Sequence, residues 1–226
     1  MSSEMKRRLM MTISGVVICG FSVGMFQYST LGMDPFQVFA HGIWNQIQYL
    51  ADGQGIHLLQ EFGVDRAIIS YGVVYMILNL VLLIADFILD RKKIGIATFI
   101  NLFLVGYIVD FSYGIWHRML PHPSLAVRFL FLIAAIVIMC LSSALYFTSD
   151  LGVSTYDTIA LALSEQHHWD FKFVRITSDL ICVAIGFFFG IMPGIGTIIT
   201  AFFMGPLISF FNKHVAGPIR YGKNRL

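Results

Sequence analysis

The chain of 226 residues is 57% hydrophobic and only 12% charged, whereas a soluble domain carries roughly 25% charged residues, so an ordinary water-soluble globule is excluded. A net charge of +2 gives no excess of cations for binding nucleic acid, and a mean hydropathy of +0.76 points to lipid as the solvent. Cys19, Cys140 and Cys182 lie inside apolar runs at no metal or redox spacing, and read as small packing residues rather than a disulfide framework.

Taken in order, Lys6-Arg7-Arg8 leads into an apolar run from Leu9 to Ser29. A signal peptide has an apolar stretch of about 7–15 residues and a small-residue cleavage site. This run is longer and has no such site, so it is expected to be a retained first transmembrane helix. Crossing a hydrocarbon core needs roughly 20 helical residues. Further segments near that length are Arg66–Leu89, Ile94–Tyr113, Val127–Thr148, Phe173–Ile191 and Ile195–Phe211, giving six in all. Two more segments are shorter or more polar: Asp34–Leu50, which carries Gln37, His41 and Asn45, and Ser154–Gln166.

Each of these partial segments opens on a Leu-Gly motif. Leu31-Gly32-Met33-Asp34-Pro35-Phe36-Gln37 returns 120 positions later as Leu151-Gly152-Val153-Ser154-Thr155-Tyr156-Asp157. At the same offset Gly20, Ser22 and Gly24 correspond to Cys140, Ser142 and Ala144, small residues that let helices approach closely in lipid. Arg66-x-x-x-Ser70 matches Arg175-x-x-x-Asp179, and Gly95-x-Ala97-Thr98 matches Gly194-x-Gly196-Thr197. The expected fold is therefore an all-α polytopic membrane protein of two repeats, residues 1–118 and 119–226, each with three transmembrane helices and one short partial helix.

Cations favour the cytoplasmic side of a membrane. With six crossings, Lys6, Arg7, Arg8, Arg91, Lys92, Lys93, Lys172, Arg175 and the four C-terminal cations fall inside, while Arg66, Arg118 and Arg128 fall outside. Both termini are then cytoplasmic. Eight crossings give the same balance but export the Arg91-Lys92-Lys93 cluster, so six are favoured. Three crossings per repeat is an odd number, which makes the repeats inverted, an arrangement used by transporters with interrupted helices.

The Leu-Gly-x-(Asp/Ser)-Pro-aromatic element after a Gly-rich first helix, with the late Gly-x-Gly-Thr and Gly205-Pro206-Leu207-Ile208 run, resembles the YczE/YitT-like family of bacterial integral membrane proteins. That resemblance implies a cytoplasmic-membrane protein but no particular substrate. One member's association with lipopeptide antibiotic production implies export or an accessory role. The chain departs from the family pattern at Gln37, where Asp is common, and at Thr155, which replaces the Pro.

Asp34-Pro35 and Ser154-Thr155 have the composition of helix starts, an N-cap residue followed by a first helical residue. They read either as paired half-helix N-termini facing a cavity and favouring an anionic group, or as plain caps at the membrane surface. Asp157, with Gln37 and His41, is a candidate for lining a polar cavity if it lies at membrane depth, where an ionisable group marks a pathway; the alternative is a headgroup-level position. Asp179 is a candidate for ion coupling, or for an i,i+4 pair with Arg175. Asn79 and Asn101 are expected to pack helices, and Asp86 and Asp110 to mark solvent-reached helix ends. His167-His168-Trp169-Asp170 reads as an interfacial loop rather than a metal site, since adjacent histidines do not share a helix face.

The expected function is a small secondary transporter or exporter of a small organic solute, with Asp34, Pro35, Gln37, His41, Ser154, Thr155 and Asp157 at the substrate and Asp157 and Asp179 coupling an ion. No catalytic motif, cofactor or metal site is implied. Lipid is the certain partner, with a homodimer or a membrane partner protein in prospect. The alternative is an accessory membrane protein that binds a partner without transport.

Overall fold

In lipid a long apolar run satisfies its backbone groups most simply by becoming a helix. The computed structural model describes residues 3–53, 71–89, 91 and 94–222, and these are helical with no strand among them. In order they form α1 (Ser3–Ser29), α2 (Pro35–Gly53), α3 (Tyr71–Leu89), α4 (Ile96–Met119), α5 (Leu125–Ser149), α6 (Thr155–His167), α7 (Phe171–Phe188) and α8 (Ile195–Phe211). A π-helical turn, Asn212–Ala216, then leads into a short α9, Gly217–Tyr221. Arg66, Ser70, Lys92, Lys93, Lys223 and Arg225, used in the sequence argument, lie outside the described residues.

Among the described residues four helices are long and apolar enough to cross a membrane: Glu4–Ser29, Ala97–Met119, Leu125–Ser149 and Ile195–Tyr221. Of the other two segments expected to span, Val73–Leu89 is apolar but shorter, and α7 carries Lys172, Arg175 and Asp179. The ends also differ from expectation. α4 continues past Tyr113 to Met119, and α7 stops at Phe188, ahead of the turn where Gly190 takes φ 86°.

α1 is the central post, packed between α4 and α5. Its glycines bring the backbones together: Gly20 meets Ile108, Gly24 meets Ser112, and Gly15 meets the Ser142 carbonyl. With the Tyr28 hydroxyl donating to the Leu120 carbonyl, these pairs make α1 and α4 run in the same direction. α5 runs the opposite way, because Arg8 Nε near the start of α1 donates to the Ser149 carbonyl (2.8 Å) at the end of α5. Phe26 of α1, Leu132 and Ile136 of α5, and Met204 and Ile208 of α8 form the main apolar core.

The two Leu-Gly motifs are crossed between the halves of the chain. Leu31 O accepts from the Gly196 N–H (2.9 Å) at the start of α8, and Leu151 O accepts from the Ala97 N–H (3.1 Å) at the start of α4. Gly32 lies against Gly196 and Thr197, and Gly152 against Gly95 and Thr98. Thr197 Oγ1 clamps the first motif, donating to Met33 O (2.7 Å) and accepting from the Met33 N–H (3.0 Å). At the second motif Thr98 Oγ1 instead accepts from the Gly95 N–H (3.2 Å) within its own helix start. Gly152 needs its missing Cβ twice over, for its φ of +109° and for the backbone pressed against it. The residue before each Leu-Gly pair, Thr30 (φ 54°) and Asp150 (φ 56°), is left-handed and ends the preceding helix.

Asp110 departs from expectation. It is not at a helix end but nine residues before Met119, exposed, about 200° around α4 from buried Ser112 at 100° per residue. A Cβ on Gly106 or Gly114, one turn to either side of it, would meet nothing within 4 Å.

The close backbone contacts give a graded test. A Cβ at Gly95 would overlap Leu151 O, and one at Gly24 would lie 2.6 Å from Ser112 Cβ. Gly95→Ala and Gly24→Leu are expected to lower the thermal unfolding midpoint in detergent by the equivalent of about 1–3 kcal/mol. Gly106→Ala, made in open space, leaves the midpoint unchanged.

Candidate functional site

A helix that begins within a bundle must find partners for its first N–H groups. α6 begins halfway along two neighbours: Asp179 is the ninth of eighteen residues in α7, and Asn79 the ninth of nineteen in α3. Its N-cap is Ser154, whose Oγ accepts from the Asp157 N–H (3.3 Å). Thr155 Oγ1 donates to Asn79 Oδ1 (3.0 Å), and Asn79 Nδ2 donates to the Tyr75 carbonyl (2.9 Å). α2 starts in the same way, with Asp34 Oδ1 accepting from the Phe36 N–H (2.9 Å) ahead of Pro35.

The two helix starts touch. Phe36 in the first turn of α2 stacks on Tyr156 in the first turn of α6, with centroids 5.0 Å apart and planes at 22°. Tyr75 packs on the other side of Phe36 at 5.5 Å. From this stack the helices diverge toward opposite ends of α7. Asn45 Nδ2 of α2 donates to Phe189 O (2.8 Å), just past the end of α7, whereas α6 leads by a tight turn into the start of α7. In that turn His168 is left-handed, Ser164 Oγ donates to Trp169 O (2.7 Å) and Trp169 is exposed. It is a loop with a surface tryptophan, as the sequence suggested.

Beneath the stack lies an ionic cluster. Arg175, whose side chain is 3% exposed, donates from Nη1 to Asp157 Oδ1 and from Nε to Asp179 Oδ2 (3.2 Å). Its guanidinium carbon sits 4.5 Å from the centroid of the Tyr156 ring. Tyr156 Oη donates to Asp179 Oδ1 (2.6 Å), and Asp157 Oδ2 accepts from Tyr146 Oη (2.6 Å) and Ser154 Oγ (2.5 Å). Every carboxylate oxygen is therefore met, as the high cost of a buried unpaired charge demands. Charge is not balanced, however: one guanidinium faces two carboxylates. Asp34, at the start of α2, also lies within electrostatic reach of Arg175.

Two cavities flank this region. One of about 630 Å³ is lined by Gln27, Thr30, Gly32, Met33, Gln37 and His41, with the start of α8. The other, of about 420 Å³, is lined by Phe147, Asp150, Gly152, Val153, Leu161 and Glu165, with Arg220 and Tyr221 from the C-terminal helix. Asp150 closes its edge, pairing with Arg8 (3.1 Å) and Arg220 (3.4 Å).

The residues singled out from sequence thus fall into two groups. Ser154, Asp157 and Asp179 join the ionic cluster, and Gln37 and His41 line the larger cavity. Asp34, Pro35, Ser154 and Thr155 are helix starts, and the acidic side chain in the first turn at each N-terminus is the chain's own Asp34 or Asp157. The Arg175–Asp179 i,i+4 pair is present. Sequence reasoning missed that the same Arg175 also holds Asp157, although a guanidinium has donors enough for two carboxylates. It also missed Tyr146, which read as an ordinary apolar-run aromatic, and gave no role to Phe36 and Tyr156, the aromatic position of the two Leu-Gly motifs. Asp86 is a correction: it lies near the end of α3 as expected, but it is fully buried and solvent does not reach it.

A helical bundle with several membrane-length apolar helices and an enclosed ionic cluster is a multi-pass membrane protein. The chain belongs to the family of unknown function DUF6198, whose model matches residues 6–213. An uncharacterized protein of Haemophilus influenzae is 24% identical over 200 residues, covering 88% of this chain and 80% of that protein. The uncharacterized membrane protein YczE of Bacillus subtilis is 22% identical over 211 residues, covering 93% and 87%. The YczE-like resemblance read from the Leu-Gly motifs agrees with that relative. No solved structure matches the chain.

Removing Arg175 would leave two carboxylates buried without a counter-charge. Arg175→Leu is expected to destabilise the protein by about 3–5 kcal/mol, read as a lowered unfolding midpoint in detergent. Arg175→Lys is expected to recover little, because an ammonium lacks the planar fork that reaches both carboxylates.

Proposed function

We propose that the protein is a small secondary transporter or exporter, moving an organic solute across the cytoplasmic membrane and performing no catalysis. Six helices cross the bilayer, α2 and α6 each reach only to its middle, and residues 1–118 and 119–226 are inverted repeats. The observation that carries this reading is the Phe36–Tyr156 stack, which joins the N-termini of two diverging helices beside the ionic cluster. Interrupted helices that meet at the interface of inverted repeats are where several carrier folds bind their cargo.

The crossed motif contacts, Leu31 with Gly196 and Leu151 with Ala97, support the repeat. So do the cavities: Gln27, Thr30, Gly32, Met33 and His41 in one are each 120 positions from Phe147, Asp150, Gly152, Val153 and Leu161 in the other. Such a pair of vestibules at opposite ends suits alternating access. Arg8 and Arg220 meet on Asp150 at the end of the bundle that holds both termini, and Arg91 follows α3. These cations favour a cytoplasmic position for that end. The solute would enter past Gln37 and His41, with Asp34, Pro35, Ser154 and Thr155 framing the passage. Asp157 and Asp179, in excess over Arg175, would couple the movement to a proton or cation.

A second reading, an accessory protein that holds a partner without transport, draws on the exposed face of α4 around Asp110. A carboxylate facing lipid is costly, and a partner or a second copy of the chain would shelter it.

Two measurements test the carrier reading. In sealed vesicles, single cysteines at His41 and Glu165 in a cysteine-free background are expected to react with a membrane-impermeant thiol reagent from opposite faces. Reaction of both from one face would end the inverted arrangement. In proteoliposomes under a proton gradient, a screen of organic solutes is expected to yield uptake that Asp157→Asn abolishes. A screen with no uptake, together with a stoichiometric co-purifying membrane protein, favours the accessory reading.

A further inference from the structure

One fully buried acidic group stands outside the ionic cluster. Asp86, near the end of α3, is fully buried, and among the described residues neither of its carboxylate oxygens has a hydrogen-bond partner. Its polar neighbour is Thr158 on α6, also fully buried. The Thr158 hydroxyl proton is already committed, donated to the Ser154 carbonyl at 3.0 Å. Thr158 is therefore not a hydrogen-bond donor to Asp86 in this conformation. A carboxylate enclosed without a donor carries an uncompensated charge, which is far costlier to bury than the neutral acid. With no donor at hydrogen-bond distance, the acid form is the one matched to this site.

The charges nearby point the same way. α3 packs against α6 and α2. The titratable groups those elements bring include Tyr156, Asp157, Glu165 and His167 from α6, and Asp34, His41 and Tyr49 from the start and body of α2. The acidic group that bears on Asp86 is Asp157, which is paired with Arg175. Arg175, the cation in the cluster, is occupied by Asp157 and Asp179. Arg91, beyond the end of α3, lies over the ring of Phe87 at 4.2 Å.

We propose that Asp86 is a proton-binding site: in the conformation described it is an enclosed carboxylic acid beside Thr158, and it gives up its proton when α6 shifts against α3. On the carrier reading, Asp86 holds a proton beside Asp157 and Asp179, the residues that couple it to movement. Asp86 stands on α3, and Thr158 is one residue past Asp157 in the first turns of α6. A rearrangement of the half-helix would thus change the enclosure of the acid and the charge beside it together.

The test uses dicyclohexylcarbodiimide, a lipid-soluble reagent that requires the acid form. The carboxylic proton passes to a reagent nitrogen, and the carboxylate oxygen adds to the central carbon. The resulting O-acylisourea rearranges by acyl transfer from oxygen to nitrogen into a stable N-acylurea. No atom is lost, so the modified peptide gains the mass of the reagent. With the full-length protein in vesicles, peptide mass spectrometry is expected to locate the adduct on Asp86. Asp86→Asn is expected to remove it, and wild-type labelling is expected to fall as pH rises. Asp86→Asn, an isostere of the neutral acid, is also expected to keep the wild-type unfolding midpoint. Labelling on Asp157 or Asp179 with none on Asp86, no labelling at all, or a lowered midpoint for Asp86→Asn would overturn the proposal. Labelling needs no cargo, so the two readings fail separately. A labelled Asp86 in a protein that moves no solute keeps the proton site and removes the carrier. An unlabelled Asp86 in vesicles that take up solute does the reverse.

Discussion

Starting a helix inside an apolar bundle exposes N–H groups that water cannot reach, and the rest of this structure is arranged around meeting that demand. At α6 the answer is local and ionic. Ser154 caps the first turn, Thr155 borrows the side chain of Asn79, and Asp157 places a negative charge on the positive end of the helix. A carboxylate there must itself be compensated, which brings in Arg175 from α7, which in turn holds Asp179. Tyr146 from α5 and Tyr156 complete the shell. One interrupted helix thereby ties three others to itself through side chains that would be costly anywhere else in lipid.

α2 meets the same demand more cheaply. Asp34 caps it, Pro35 removes one N–H outright, and among the described residues no cation is paired with Asp34. Gln37, which stands where the second copy has Asp157, is neutral and turns to an open cavity. The two halves therefore use corresponding positions differently, one as an enclosed ionic lock and the other as the wall of a vestibule. If cargo passes between them, the asymmetry gives the path a wet end and a charged end.

Much of this was legible in the sequence. Hydropathy and length gave the long helices. Cap chemistry gave the starts of α2 and α6, because Asp-Pro and Ser-Thr ahead of an apolar run act through neighbours within one turn. The Arg175–Asp179 pair was visible for the same reason: its spacing is set by a single helix. What stayed hidden was contact between helices. The motif marked an aromatic at Phe36 and at Tyr156, but nothing local says that the two face each other, or sets Tyr146 apart from any other aromatic in an apolar run; those roles depend on which helix lies opposite. Asp110 was misplaced because a span read from hydropathy has uncertain ends: α4 extends six residues beyond the apolar run that first defined it. Asp86 was placed correctly, three residues before the end of α3, but a carboxylate there is wet or dry according to what packs over it.

The crossed motifs also bear on how the chain can be made. Leu31 emerges early in synthesis, yet the N–H that satisfies its carbonyl belongs to Gly196, near the end. Leu151 in turn needs Ala97, from a segment inserted before it. The first half thus waits in the membrane with an open seam until the last long helix arrives, and the second half closes onto a partner already in place. Assembly is directional for that reason, and a nascent chain arrested before α8 would hold its first motif unsealed in lipid, a natural handle for insertion and quality-control machinery.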